Sequence, residues 1–134
     1  MSAGLLYLDS SAIVKLVARE LESGVLFKFA GAWPDRVSSQ LARIEVSRVL
    51  RRANVGQALF RRAEETLARM LLLRIDEEVI RAASEIAPAE LRCLNAIHLA
   101  TAVSLGTQLG LFVAYDRRLI EAADRAGLST ASPT

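Results

Sequence analysis

Two short apolar runs, Leu5-Leu6-Tyr7-Leu8 and Leu111-Phe112-Val113-Ala114, each stop within two residues at an aspartate, Asp9 and Asp116. Runs this short are not helices, and unbroken apolar character means both faces are covered, so each reads as a buried strand of a parallel sheet. Between them the pattern shifts to the helical period. Ser10 is placed to cap a helix over 12–18, and a second helical pattern over 20–32 stops before Pro34. Arg36-Val37-Ser38 is a candidate strand, after which Ser39 caps a helix to about 53 and another runs over 55–70, as a helical hairpin. Residues 72–75 fit either a helix end or a short strand; Asp76 opens a helix to about 86, broken at Pro88. Asn95 stands at an N-cap position for a helix to about 105, closed by Gly106 and Gly110. A helix over 117–126 and a small strand near Ser129 complete the series. This alternation predicts a three-layer α/β/α fold with a central, mainly parallel, twisted sheet.

Composition narrows the class. A chain of 134 residues that is 52% hydrophobic and 24% charged reads as a single domain spanning 1–134, burying roughly 68–70% of its unfolded surface. Disorder and a multidomain layout do not suit it. Cys93 and His98 are the sole cysteine and histidine, which excludes a Cys/His zinc site, a dithiol pair and a disulfide framework. Met1-Ser2-Ala3-Gly4 places no basic residue ahead of the first apolar run, and that run ends at Asp9. A signal peptide and a membrane span are therefore not expected, and a reducing, cytoplasmic setting is.

The net charge of +2 hides an asymmetry. Between Arg36 and Arg74 nine arginines face three acids, a local +6, which leaves −4 for the remainder. Concentrated cations suit a polyanion, whose phosphates release counterions when neutralised. Solvated helix faces explain the same arginines equally well.

In open α/β sheets the ligand crevice lies beyond the strands' carboxyl ends, where Asp9 and Asp116 both fall. Each also has a plain alternative: a turn or capping aspartate for Asp9, and a surface ion pair with Arg117-Arg118 for Asp116. Glu45 falls at the edge of the apolar stripe formed by Ala42, Val46, Val49 and Ala53, with Arg48 and Arg52 on the same side. It reads either as a helical pair with Arg48 or as a carboxylate at a cleft rim beside arginines able to hold phosphates. His98 lies in a segment apolar nearly all round and reads as a hydrogen-bonded core histidine, with no identifiable nucleophile for triad chemistry.

The segments Tyr7-Leu8-Asp9-Ser10-Ser11-Ala12-Ile13-Val14-Lys15-Leu16, Leu94-Asn95-Ala96-Ile97-His98-Leu99-Ala100-Thr101-Ala102 and Ala114-Tyr115-Asp116-Arg117-Arg118-Leu119, with Glu45 between the first two, resemble the PIN domain. The likeness is greatest to VapC-type toxins of bacterial toxin–antitoxin pairs. It implies a metal-dependent endoribonuclease using Mg²⁺ or Mn²⁺, a homodimer, and a cognate VapB-type antitoxin that holds it inactive. Its acidic pocket maps onto Asp9, Glu45, position 95 and Asp116, with Ser11 orienting the first acid and Arg48, Arg52 and Arg117 as RNA contacts. Hard oxygen ligands suit such an ion. Clustered carboxylates without one repel by roughly 4 kcal/mol per pair about 4 Å apart at an effective dielectric near 20.

Asn95 departs from the family aspartate. It keeps one carbonyl oxygen, loses the charge and gains an NH₂ donor. With the remaining motif intact, a deliberate isosteric exchange accounts for it better than a naturally degenerate site, and impaired activity is the expectation. The competing class is an inactive PIN-like module that binds RNA or a protein partner without cutting. A phosphoacceptor receiver-like domain would also use acids at strand ends, but Glu45 and the Asn95 helix do not suit it. The helix over 55–70, with Leu71 after it, offers Ala58, Leu59, Leu67, Met70 and Leu71 as a groove for the antitoxin or for the second copy.

Overall fold

The computed structural model describes residues 4–134. Five strands, β1 (Leu5–Leu8), β2 (Arg36–Ser39), β3 (Leu71–Leu73), β4 (Leu109–Val113) and β5 (Thr130–Ala131), form one all-parallel sheet in the order β3-β2-β1-β4-β5. The connections carry α1 (Ser10–Val17), α2 (Ser23–Gly31), α3 (Leu41–Arg52), α4 (Gln57–Ala68), α5 (Glu77–Glu85), α6 (Cys93–Val103) and α7 (Arg117–Arg125). The predicted α/β architecture is the one observed, and 71–73 resolve as strand.

Period-two alternation on β1 splits the interior into two cores. Leu6 and Leu8 pack with α1 to α4 on one face, joined by Ile13, Leu26, Val46 and Leu50. Tyr7 turns to the other face with Val37 and Phe112, covered by Leu99 and Ala102 of α6 and Leu119, Ala122 and Ala123 of α7. β1 is therefore buried on both sides, as an uninterrupted apolar strand requires.

Several local expectations change. Asp9, not Ser10, caps α1: its side chain accepts from the Ala12 N–H, and Ser10 becomes the first helical residue. α6 starts at Cys93, with Arg92 as N-cap, so Asn95 is not the cap and its side chain points elsewhere. Ala53 is exposed, while Leu41 and Leu50 join Ala42 and Val46 on the buried stripe of α3. The expected free apolar face of α4 is largely used already, because Leu59, Leu67 and Met70 pack against the first core. Ala58 and Leu71 remain exposed, and Leu67 and Met70 also line an open groove of about 1120 Å³ between α3 and α4.

Gly4, ahead of β1, has φ +94°, and a Cβ there would lie 2.6 Å from the Gln108 carbonyl oxygen. Gly4→Ala is expected to lower unfolding stability by about 1–3 kcal/mol, the scale of a left-handed residue held against contact. Gly24→Ala on α2, where a Cβ meets nothing, should be neutral or slightly stabilising. Urea titration of both variants checks the contrast.

Candidate active site

β1 and β4 are neighbours, with Leu8 opposite Val113, and the Asp9 N–H bonds the Val113 carbonyl at 3.1 Å. The two aspartates thus leave the sheet from adjacent strand ends. Asp9 is buried, with 4% of its surface exposed. Its Oδ1 accepts from Ser11 Oγ at 2.7 Å and from the Ala12 N–H at 3.0 Å. Ser11 therefore holds the Asp9 side chain, and Asp9 is at once the cap of α1 and a candidate site residue. Burial pushes its carboxyl above the ordinary range; His98, Ser11 and the Ala12 N–H pull it back, and Glu45 adds to the rise.

Glu45 reaches the same place from α3. It is half-buried and makes no pair with Arg48; its Oε1 instead accepts from Ser10 Oγ and lies 2.8 Å from His98 Nε2. Burial pushes the Glu45 carboxyl up, but the hydrogen bonds from His98 and Ser10 outweigh that and hold it below the ordinary range. His98 is the core histidine expected, 1% exposed, yet it also joins this cluster. Ser10 and Tyr7, whose hydroxyl lies 2.7 Å from His98 Nδ1, complete it. From the sequence, Ser10 reads only as a cap.

The other pair stands at the solvent edge. Asp116 caps α7, its Oδ1 accepting from the Arg118 and Leu119 N–H groups, and forms no ion pair with Arg117 or Arg118. Its Oδ2 accepts from Asn95 Nδ2 at 3.2 Å. Arg48, Arg52 and Arg117 are exposed, and among the described residues they form no ion pair with these acids. Asp9, Glu45, Asn95 and Asp116 offer only hard oxygen donors, apart from the Asn95 amide nitrogen, which suits a divalent cation of the Mg²⁺ class. Among the described residues no three His, Cys, Asp or Glu side chains form a chelating group as they stand. The case for a cation rests on donor chemistry.

Fold and site together define a parallel α/β protein with an acidic crevice at the ends of its central strands. The chain belongs to the PIN-domain family, whose model matches residues 6–125. It is 45% identical over 129 residues to ribonuclease VapC46 of Mycobacterium tuberculosis, covering 96% of this chain and 98% of that one. Ribonuclease VapC47 of the same species is 39% identical over 134 residues, covering 96% and 97%. The fold matches the crystal structure of M. tuberculosis VapC20, a toxin that cleaves the sarcin-ricin loop, with TM-score 0.75 at 16% identity over 96% of this chain and 99% of that one. It also matches PAE2754 from Pyrobaculum aerophilum, with TM-score 0.62 at 23% identity over 97% and 92%.

The two carboxylates titrate in opposite senses. Asp9, raised in the fold, contributes stability below its unfolded pKa that is lost as pH rises through the folded value. Glu45, lowered, contributes stability above its unfolded pKa that is lost as pH falls through the folded value. In chelator at pH 7, Asp9→Asn is expected to melt above the parent chain and Glu45→Gln below it. Both gaps should shrink on acidification, and calorimetric melts from pH 7 to pH 3 measure them.

Proposed function

We propose that this chain is a single-domain, metal-dependent endoribonuclease toxin that cuts RNA phosphodiester bonds and is held inactive by a VapB-type antitoxin in the cytoplasm. The observation that carries the reading is the convergence of Asp9, held by Ser11, and Glu45, held by Ser10 and His98, beside the strand end that leads to Asp116. Full-length similarity to VapC ribonucleases supports the substrate class and the partner. Among the described residues no helix is long and apolar enough to cross a membrane.

Asp9, Glu45, Asp116 and the Asn95 carbonyl oxygen would hold Mg²⁺ or Mn²⁺. When bound, such an ion supplies a nucleophilic water at neutral pH and offsets charge growing on the phosphate. Ser11 keeps Asp9 turned to the crevice, while Arg48, Arg52 and Arg117 draw the RNA backbone toward it. A second copy packs with the first in the homodimer of this reading. Asn95 removes one negative charge and presents its amide nitrogen to Asp116, so activity in this chain is impaired. That same contact favours a second reading, a module that binds RNA or a protein partner without cutting.

RNA cleavage in Mg²⁺ or Mn²⁺ by this chain beside Asn95→Asp separates the two. Asn95→Asp should cleave faster and bind metal more tightly. Equal, metal-independent cleavage by both would overturn the metal assignment, and inactivity of both under every metal would favour the binding module.

RNA affinity supplies an independent check. Arg48→Ala or Arg52→Ala should weaken binding and reduce the slope of log affinity against log salt by up to about one unit per lost phosphate contact. An unchanged slope in both variants would remove these arginines from the RNA path.

A further inference from the structure

His98 is the single histidine of the chain and sits inside the fold, between Tyr7 and the Glu45–Ser10 pair. The hydrogen-bond inventory of its neighbours fixes which nitrogen carries the proton. A carboxylate only accepts, and Glu45 Oε1 is a partner within hydrogen-bond distance of Nε2. Nε2, 2.8 Å from Glu45 Oε1, must therefore be the donor, since a lone pair there would face an anionic oxygen. Ser10 Oγ, 3.1 Å from Nε2, gives its own proton to the same Oε1.

On the opposite side the Tyr7 phenol is fully buried, its oxygen facing the other ring nitrogen of His98. Thr101 nearby gives its hydroxyl proton to the Ile97 carbonyl at 2.6 Å, and the buried Ser38 Oγ meets no partner. His98 Nδ1, at 2.7 Å, is the partner within hydrogen-bond distance of the phenol. A buried hydroxyl is hydrogen-bonded where an acceptor exists.

We propose that Tyr7 and His98 are positioning residues for Glu45. Tyr7 donates to Nδ1 and fixes the His98 ring, so that Nε2 and Ser10 both donate to Oε1. This rests on the reading of Glu45 as a metal-holding carboxylate. It adds a relay running from the sheet interior, through α6, to α3. Every hydrogen bond in it points the same way, toward the carboxylate, and outer partners of this kind set ligand orientation and basicity.

The lone histidine makes the test clean. Long-range ¹⁵N–¹H spectra at pH 7 without metal should show Nε2 protonated and Nδ1 bare in the parent chain. In Tyr7→Phe the Nδ1–H form should become populated. Mn²⁺ affinity, by titration calorimetry in this chain and in Asn95→Asp, should fall about tenfold or more in His98→Leu, by less in Tyr7→Phe, and stay near the parent in His98→Gln, which keeps an N–H donor at the Nε2 position. Melting temperatures of the variants identify any loss that is only structural, and Tyr7→Phe carries the comparison if His98→Leu does not fold. An imidazolium or an Nδ1–H tautomer in the parent chain overturns the relay, as does unchanged Mn²⁺ affinity in a folded His98→Leu. If no form binds Mn²⁺, the metal reading fails instead, and the tautomer in the parent chain and in Tyr7→Phe still decides the Tyr7–His98 arrangement.

Discussion

A carboxylate with 4% of its surface exposed at the end of the sheet's central strand is the constraint around which this molecule is arranged. Removing a charge from water costs several kcal/mol unless donors replace the solvent. The chain supplies them within three residues: the Ser11 hydroxyl and the Ala12 N–H, both on Oδ1. That solution demands that helix α1 start at once after β1, because the Ala12 N–H is one of the unpaired donors of a helix first turn. The abrupt strand-to-helix turn is thus the condition on which Asp9 can be buried at all. Its backbone N–H, bonded to Val113, ties the turn to β4.

The rest of the crevice divides by solvation. Glu45, Ser10, His98 and Tyr7 form an inner half in which every described hydrogen bond ends on Glu45 or on His98. Asn95 and Asp116 form an outer half, with Asp116 exposed and doing helix-capping work for α7. Asp9 and Glu45 are perturbed in opposite directions: Asp9 is dominated by desolvation, while at Glu45 the donors outweigh it. Two acids a short distance apart whose environments push their pKa values apart are the arrangement expected of groups with separate tasks.

The strands and the candidate site acids are legible in the sequence for one reason. A buried parallel strand has to be continuously apolar, so the residue where that character stops is visible, and Asp9 and Asp116 are those residues. Glu45 showed through its place at the edge of a helical stripe. What stayed hidden depends on long-range contact. Ser10 looked like a cap because a serine after a strand commonly is one, and only the packing of α3 beside α1 gives it Glu45 as a partner. Asn95 looked like a cap for the same local reason, but the helix begins two residues earlier. His98 was correctly read as a core residue; periodicity carries no information about which polar groups the opposite face of the sheet presents to it. Apolar count on α4 misled because half of that face covers the first core.

The structure also sorts the arginines that composition could only count. Arg36 bonds the Ala30 carbonyl at 2.9 Å, Arg43 bonds Gln40 at 3.3 Å, and Arg51 lies over the Phe60 ring at 5.6 Å. Those three have local work that explains their presence. Arg48 and Arg52 have none: among the described residues they make no hydrogen bond, ion pair or ring contact, although they share α3 with Glu45. A solvated helix face would explain single cations, but such faces commonly intersperse both signs, which lowers self-repulsion. On α3 the one acid is Glu45, and it is turned inward to His98 instead of outward to its basic neighbours. By committing its only carboxylate to His98 and Ser10, α3 leaves its outer face uncompensated, so the same side-chain choice that turns Glu45 inward leaves a basic face on the helix that bears it.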